Sequence, residues 1–380
     1  TTEIYTLSLH DALPILVLNK TNLAGPFMSD FSSWGPNPDL TLKPEITAHG
    51  GNIKSSVPGG GYEELSGTSM ATPNMCGIVV LIRQYLKEKY PDATTKEISK
   101  LTNQIMMSSA TIALNQEGNP YSPRKQGAGL ASLKNTVNTK AYLSVDGSDR
   151  TKAELGDDAK KTGKYVIKFR LNNISNESLS YIIDDATMTE SVSTSDSRYV
   201  AEKAHMLNPN ASVKITGDAT LDGNKITISP NSNALIEYTI VLSDAEKLYI
   251  NKNFANGMYV EGFVTLKAVN KNEIDLSIPF LAFFGDWTKA PLFDKTFYEV
   301  ESEAHDKSID DEDKIKADYY ATTPLGSYYY NYIIPLGSYV YSMDETKYDA
   351  IPATTEHAAM GYEVSSIHGI TTVYAGLLRN

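Results

Sequence analysis

The spacing of hydrophobic residues changes near residue 140, and the earlier part of the chain carries a long helical pattern. Apolar or small side chains recur there at near-helical spacing, at Met70, Ala71, Met75, Val79, Ile82 and Leu86. A helix with this spacing packs one of its sides against a core. Pro91 and Asp92 follow, and both are residues that stop a helix. We therefore expect a buried helix from about residue 69 to residue 89.

A second helical pattern follows Ala93-Thr94-Thr95. Its apolar side is formed by Ile98, Leu101, Ile105 and Met106. Thr95 stands where its side chain can cap the helix, and we expect this helix to pack beside the first. Together with the short apolar runs and Gly/Pro turns around them, the two helices indicate the end of an α/β domain over residues 16–140.

Beyond residue 140 the apolar residues alternate with polar ones. The alternating positions include Tyr165, Ile167, Phe169 and Leu171, then Ile236, Tyr238, Ile240 and Leu242, and finally Ile274, Leu276, Ile278 and Phe280. A strand that buries one face has this pattern. Because Asn, Gly, Asp and Ser turns separate the segments, we expect an antiparallel β-sandwich over residues 141–300.

The two ends of the chain and one charged segment fall outside these patterns. Residues 1–15 follow no pattern that joins them to what comes next, and we interpret them as a non-native leader. Residues 301–317 are rich in charge and are interpreted as an exposed linker. A further β-domain is expected over residues 318–380, where Pro-Leu-Gly-Ser-Tyr occurs twice in two turn-flanked strands. Its last residues stop inside a strand-like run, so we expect this domain to be truncated.

Composition and charge narrow the class of protein. A chain of 380 residues with 41% hydrophobic and 21% charged residues is expected to fold, and to form two or three domains. The net charge of -12 disfavours nucleic acid and anionic lipid as partners. A single cysteine, Cys76, excludes an internal disulfide and a cysteine-based zinc site. No apolar run reaches the roughly 20 residues of a membrane-spanning helix, and the oligomeric state stays open.

The strongest chemical signal is the segment Ser66-Gly67-Thr68-Ser69-Met70-Ala71-Thr72-Pro73, where a glycine-containing loop turns into the first helix. A serine at a helix start has an unpaired amide beside the positive end of the helix dipole. Ser69 is therefore suited to stabilise an oxyanion. Gly67 permits close backbone approach, and Pro73 lacks an amide that would have had no intrahelical partner. The alternative is that Ser69 is only an N-cap.

Three further segments accompany this motif. They are Phe31-Ser32-Ser33-Trp34-Gly35-Pro36 and Leu42-Lys43-Pro44-Glu45-Ile46-Thr47-Ala48 upstream, and Gln126-Gly127-Ala128-Gly129-Leu130 downstream. With them, residues 25–135 closely resemble the subtilase family, whose nucleophile motif differs from the Gly-x-Ser-x-Gly elbow of α/β-hydrolases. The resemblance implies a serine endopeptidase that works through an acyl-enzyme at Ser69.

In that family a His takes the proton of the serine, an Asp orients the His, and an Asn side chain joins the serine amide in the oxyanion hole. Only Ser69 can be carried over to this chain. The family's chain order puts the other three before residue 25, and we expect them to be absent here. The chain alone is therefore expected to be nearly inactive. Thr68 is expected either to lend a hydrogen bond to the oxyanion or to cap the helix.

The predicted sandwich points to one branch of the family. Residues 278–287, Ile-Pro-Phe-Leu-Ala-Phe-Phe-Gly-Asp-Trp, resemble the fibronectin-III-like module that follows the protease domain in lactocepin-type cell-envelope proteinases. The resemblance implies a bacterial extracellular or cell-surface enzyme that acts on proteins or peptides, with no cofactor. The alternative from another class is a non-catalytic adhesion or scaffold protein that uses only its β-modules.

Other residues with potential chemistry have simpler explanations. His10 and Asp11 are adjacent and project apart, and His49 stands where the family usually has Pro, so neither histidine is expected to act as base. Cys76 is expected to pack in the core. Secreted subtilases often bind structural calcium, and the carboxylates considered for it are Asp157, Asp158, Asp184 and Asp185. They match no ordered calcium loop, so solvated turns are the expectation.

Overall fold

The helices lie mainly in the first part of the chain and the strands follow them. The computed structural model describes residues 27–192, 200–254 and 256–289, with five short strands between residues 326 and 374. The helices are α1 (Thr68–Lys89), α2 (Thr95–Ser108), α3 (Pro123–Gln126), α4 (Leu133–Asn138) and α5 (Asp244–Asn253). The strands of the first compact unit are β1 (Ile53–Ser56), β2 (Tyr62–Leu65), β3 (Ala141–Ser144), β4 (Ala153–Asp157), β5 (Lys164–Asn173), β6 (Leu179–Val192), β7 (Val200–Met206), β8 (Asn210–Gly217), β9 (Ala219–Asp222), β10 (Lys225–Ile228), β11 (Asn233–Val241), β12 (Met258–Ala268) and β13 (Leu276–Phe284).

Helices α1 and α2 pack side by side, as their apolar patterns predict. The buried residues between them are Ile82, Leu86, Ile98, Ile105 and Met106. Burial of each such side chain stabilises the fold by about 1.5–3 kcal/mol. This cluster therefore anchors the second half of α1 and leaves its first turns to be held by other contacts.

The start of α2 differs from the sequence-based expectation by one residue. Thr94, with extended backbone, is the N-cap, and its hydroxyl accepts a hydrogen bond from the amide of Glu97. The side chain of Glu97 returns to the Thr94 amide at 2.8 Å, which completes a capping box. The expectation that Thr95 caps the helix is wrong, because Thr95 already lies in the first turn and Glu97 stands three residues after Thr94.

Two sheets form the predicted sandwich. The larger has the order β4-β13-β12-β6-β10-β9, with β7 beside β6, and the smaller has the order β3-β5-β11-β8. Tyr238 on β11 reaches from the smaller sheet to the larger, where its hydroxyl donates to Asp185 on β6 at 2.6 Å. The strand pairs of the two sheets are antiparallel, except that β4 and β13 run parallel. The alternation of apolar and polar residues does not predict this parallel pair.

Strand β13 is buried along its whole length, on both of its faces. One face belongs to the sandwich core, and α2 and α3 pack against β12 and β13 from outside the sandwich. A strand covered on both sides is expected to be apolar throughout, as this one nearly is. The helical part and the sandwich therefore share one packed interface within the first unit.

The second compact unit, residues 286–380, is described only in part. Its strands are β14 (Gly326–Tyr329), β15 (Tyr332–Pro335), β16 (Tyr339–Tyr341), β17 (Tyr348–Ala350) and β18 (Val373–Tyr374). They pair in the orders β15-β14-β18 and β16-β17, inside the segment predicted to be rich in strands. The predictions for residues 1–15 and 301–317 lie outside the described residues. Of the helices that are described, none is long and apolar enough to cross a membrane.

Candidate active site

Ser69 is the second residue of α1 and its side chain is exposed. The helix begins after Gly67, whose φ of 152° lies in a region that favours glycine. The Gly67 amide donates to the Gly50 carbonyl at 2.8 Å, so the loop before the helix is tied to the strand-like segment that precedes it. A Cβ on Gly50 would lie 2.7 Å from the Gly67 carbonyl oxygen. The two glycines thus allow the close approach that presents Ser69 at the helix start.

The backbone amide of Ser69 is free to donate. Met70 and Ala71 donate their amides to the Gly67 carbonyl, at 3.0 and 3.3 Å, whereas the Ser69 amide has no acceptor within the described residues. The first turn of α1 carries no acidic residue to offset the positive end of the helix dipole. An oxyanion that forms beside Ser69 would therefore meet an unpaired donor and a favourable dipole.

The hydroxyl of Ser69 makes no hydrogen bond within the described part of the chain. His49 is exposed and lines a groove of about 360 Å³ together with Ser66 and Thr68. No hydrogen bond joins His49 to Ser69, so the structure gives the serine no base from this side. His10 and Asp11 lie outside the described residues.

Thr68 is the first residue of α1, and Gly67 occupies the cap position. No side chain caps this helix. The alternatives that Thr68 caps the helix and that Ser69 is its N-cap are therefore both wrong. The Thr68 carbonyl accepts from the hydroxyl of Thr72 at 3.0 Å, one turn along the helix. The support of an oxyanion by the Thr68 hydroxyl stays a prediction.

The expectation that α1 is a buried helix is wrong for most of its length. Only Ile82 and Leu86 are buried, whereas Val80 and Leu81 are 62% and 44% exposed. Cys76 is exposed as well, which corrects the expectation of core packing. Helix α2 covers one side of α1, and Cys76 lies outside that contact, on a groove that Thr72 also lines.

Residues 45–47, which lie upstream of Ser69 in the chain, form backbone hydrogen bonds with the loop at residues 126–130. Thr47 donates its amide to the Gly129 carbonyl, and Ala128 donates to the Glu45 carbonyl, both at 2.9 Å. Gly127 has φ 64°, and a Cβ there would lie 2.3 Å from the Glu45 carbonyl carbon. This close backbone contact explains why two segments that the sequence singled out separately occur together in one site.

Arg124 joins this part of the molecule to the sandwich, and sequence reasoning missed it. Its guanidinium is buried beside Glu261 on β12 and Glu190 on β6, and forms hydrogen bonds with both carboxylates. The guanidinium carbon also lies 4.0 Å from the ring centre of Tyr259 and 5.4 Å from that of Trp34. Burial by itself would lower the pKa of Arg124, but the charges of Glu261 and Glu190 outweigh it and raise the pKa.

Lys152 makes a second connection between the sandwich and the site segment. Its ammonium is buried, donates to the Leu42 carbonyl at 2.9 Å, and pairs with Glu154 at 2.8 Å. Glu154 in turn accepts from the Leu42 amide at 2.7 Å. Lys152 also lies 3.7 Å from the carboxylate of Glu45. The sandwich therefore holds the chain that leads toward Ser69 through charged and backbone groups.

The carboxylates considered for calcium fall in two places. Asp157 and Asp158 lie at the end of β4, and Asp184 and Asp185 lie on β6, which is not a neighbour of β4. Asp158 accepts from the amides of Thr162 and Gly163, so it orders a turn. Over the described ranges no group of three or more His, Cys, Asp and Glu side chains is arranged to hold a metal ion.

Comparison with known sequences finds one matching family for the part that contains Ser69 and another for the sandwich. Residues 16–129 match the sequence model of the subtilase family, and residues 153–281 match that of an Fn3-like domain. Ser69 and Gly127 lie in the first match, and Glu190 and Glu261 lie in the second.

Two groups of curated relatives resemble this chain. A C5a peptidase of Streptococcus pyogenes serotype M18 is 31% identical over 299 residues, which are 78% of this chain and 24% of the relative. A PII-type proteinase of Lacticaseibacillus paracasei and a PI-type proteinase of Lactococcus lactis subsp. cremoris are 33% and 32% identical over 282 residues, which are 70% of this chain and 14% of each relative. The chain thus spans a quarter or less of the length of these relatives. It belongs to the subtilase family, and its subtilase segment is followed by an Fn3-like domain.

Proposed function

We propose that this chain supplies the nucleophile of a serine endopeptidase, and that the nucleophile is Ser69. The observation that carries the proposal is the exposed hydroxyl of Ser69 in the first turn of α1, beside its own unpaired amide. The match of residues 16–129 to the subtilase family and the names of the relatives support the same reaction.

The proposed reaction proceeds through an ester. The Ser69 oxygen attacks the carbonyl carbon of a peptide bond, and its proton passes to a general base. The carbonyl oxygen becomes an oxyanion that accepts a hydrogen bond from the Ser69 amide, and we assign the Thr68 hydroxyl as a further donor. The C–N bond then breaks, the amine leaves with the proton, and water hydrolyses the ester to a carboxylate.

We further propose that residues 1–380 alone are nearly inactive. The Ser69 hydroxyl has no hydrogen-bond partner within the described residues, and a serine without a base keeps an ordinary, weakly nucleophilic hydroxyl. Loss of a triad member lowers the rate by several orders of magnitude. In this proposal the base, its orienting carboxylate and a side-chain amide donor come from a segment that precedes this chain in its gene.

The substrates we propose are proteins or peptides outside the cell or at its surface. The relatives that support this are named peptidases and proteinases of streptococci, lactococci and lactobacilli. The absence of a base beside Ser69 in the described part also favours a second candidate, a non-catalytic surface protein that uses its Fn3-like domain for adhesion.

Labelling with a fluorophosphonate, which reacts with activated serines, separates these functions. We expect trace labelling of this chain, strong labelling of a version extended upstream in its gene, and no labelling when either carries Ser69→Ala. Strong labelling of this chain would contradict its proposed inactivity. An extended protein that stays unlabelled would favour the adhesion candidate.

A further inference from the structure

One groove of the first unit lies between the segment after α2 and the outer face of the larger sheet, and Ser69 does not line it. Its volume is about 780 Å³. One wall is formed by Ala110, Ile112, Leu114 and Pro120, and the other by residues of β6, β12 and the start of β13. Leu114 is 45% exposed, so the first wall offers an apolar contact.

This groove and the groove lined by Thr68 and His49 share one segment of chain. Ala113 lines the groove that contains Thr68 and His49, whereas its neighbours Ile112 and Leu114 line the larger one. A polypeptide that extends from the groove at Thr68 over this segment would therefore enter the larger groove.

The sheet side of the groove carries a row of polar side chains. Thr265 on β12 stands directly opposite Asp184 on β6 and directly opposite Ser277 on β13. Residues opposite one another in a sheet point to the same face, and all three line the groove. The sheet thus places one carboxylate and two hydroxyl side chains in one row along the groove, and the hydroxyl oxygen of Ser277 is itself enclosed by the protein.

Ser277 is the residue in this row that lacks a partner. It is only 4% exposed, and its hydroxyl has no hydrogen bond within the described residues. A buried hydroxyl without a partner is unfavourable and uncommon in folded proteins. The unpaired hydroxyl therefore indicates a ligand that brings its own hydrogen-bonding groups, as a peptide backbone does.

The charges of the groove favour a cationic ligand. Its carboxylates are Asp184, Asp185, Glu273 and Asp275, and its lysines are Lys267 and Lys271. Glu273 is paired with Lys140, whereas no cation lies within 4 Å of the three aspartates in the described part of the chain. Asp185 accepts from the hydroxyls of Tyr238 and Thr187. Asp184 is exposed; its Oδ1 accepts from the Asp185 amide at 2.9 Å, and its Oδ2 has no hydrogen bond within the described residues. A lysine or arginine side chain would complement Asp184.

We propose that this groove is a second binding site for peptide substrates, and that it takes an extended segment with a lysine or arginine next to an apolar residue. The basic side chain pairs with Asp184, the backbone contacts Thr265 and Ser277, and the apolar side chain lies against Leu114. The proposal rests on the proposed function, because it extends the substrate contact of that same protease.

The test is peptide binding to this chain with Ser69→Ala, so that no chemistry enters the readout. The probe is a fluorescein-labelled pentapeptide, Ala-Leu-Lys-Leu-Ala with blocked ends, and the comparison peptides carry Gln or Glu in place of Lys. We expect the lysine peptide to bind about two- to five-fold more tightly than the glutamine peptide, as for one partly exposed ion pair. The preference should decrease at high salt.

Three variants locate the site. Asp184→Asn should remove the preference for lysine, and Asp222→Asn, at an exposed aspartate of β9 outside the groove, should keep it. Ser277→Ala should weaken all the peptides about two- to five-fold while its melting temperature is unchanged or higher, because its hydroxyl has no bond to lose. A merely structural serine would leave binding unchanged.

Equal binding of the three peptides, tighter binding of the glutamate peptide, or full lysine preference in Asp184→Asn would overturn the proposal. So would a chain that dimerises through this groove and excludes every peptide. None of these peptide-binding results affects fluorophosphonate labelling at Ser69. The proposed peptide site and the proposed protease function can therefore fail independently of each other.

Discussion

The guanidinium of Arg124 and the carboxylate of Glu261 form a multiple hydrogen bond between the helical part of the molecule and the sandwich. The Arg124 Nε lies 3.1 Å from both carboxylate oxygens, and Nη2 lies 2.9 Å from one of them. Both side chains are almost fully buried. The backbone carbonyl of Arg124 accepts from the Gly35 amide at 2.8 Å, so the same residue also holds the Trp34-Gly35 segment. The Fn3-like domain is thus fastened to the part that carries Ser69.

Replacement of Arg124 should therefore destabilise the whole first unit. Arg124→Leu leaves Glu261 and Glu190 buried beside each other without their cation, and removal of one partner of a buried ion pair costs about 3–5 kcal/mol. The free energy of unfolding in urea measures the loss. Arg170→Leu is the control, since its partner Asp146 is 67% exposed, and it should cost at most about 1 kcal/mol. Equal effects of the two changes would contradict the role of Arg124.

Two glycines with nearly the same positive φ test the loop contact. Gly127 has φ 64° with ψ -133°, a conformation that also disfavours other residues, and Gly223 has φ 60°. Gly223→Ala meets nothing within 4 Å and should cost about 1–2 kcal/mol for the left-handed conformation alone. Gly127→Ala would also drive its Cβ to 2.3 Å from the Glu45 backbone, so it should cost a further 1–3 kcal/mol or more. Similar unfolding free energies for the two variants would show that the loop does not clamp Glu45.

The contribution of Glu45 to stability should depend on pH. Burial acts to raise the pKa of Glu45, but the hydrogen bond from Lys43 and the charge of Lys152 outweigh it and keep the pKa below the ordinary 4.5. A lowered pKa in the folded state stabilises the protein above the ordinary pKa, and this stabilisation is lost as the pH falls through the lowered value.

The measurement is the unfolding free energy of the wild type and Glu45→Gln at several pH values. The wild type should be more stable by up to about 1 kcal/mol near pH 6, since the pair is partly exposed, and the difference should shrink between about pH 5 and 3. Glu63→Gln, at an exposed position of β2, is the control. A difference that grows toward low pH would have the wrong sign for this account.

The cap of α2 can be assigned by two single changes. Thr94→Ala removes the side-chain oxygen that accepts from the Glu97 amide and should cost about 1 kcal/mol. Thr95→Ala lies inside the first turn and should be neutral or slightly stabilising, because Ala is the better helix former. Thermal unfolding of both variants tests this, and a larger loss for Thr95→Ala would restore the sequence-based expectation.

Local patterns predicted much of the fold. The helical spacing up to Leu86 and the stop at Pro91 gave α1 to within one residue, and alternation gave β5 and β11. The capping box is also visible in the sequence, since Glu97 follows Thr94 by three residues, and this spacing favours Thr94 over Thr95 as the cap. The exposure of Cys76 could not be predicted from the sequence. Helical spacing indicates which residues share a face of the helix, but it does not indicate whether another element covers that face.

The contacts that unite the two parts of the first unit could not be predicted from spacing. Arg124 meets Glu190 and Glu261 across 66 and 137 residues of sequence, and no local pattern connects them. The parallel pairing of β4 with β13 is likewise a contact of distant segments. The candidate nucleophile motif could be proposed from the sequence because its residues, Gly67, Thr68 and Ser69, are consecutive and lie at the start of one helix.

Identification of the residue that a fluorophosphonate modifies tests the central claim most directly. The protein extended upstream in its gene would be labelled, digested and analysed by tandem mass spectrometry. The account predicts one phosphonylated residue, Ser69, and no adduct after Ser69→Ala. An adduct on another residue, or undiminished labelling of the Ser69→Ala protein, would contradict it.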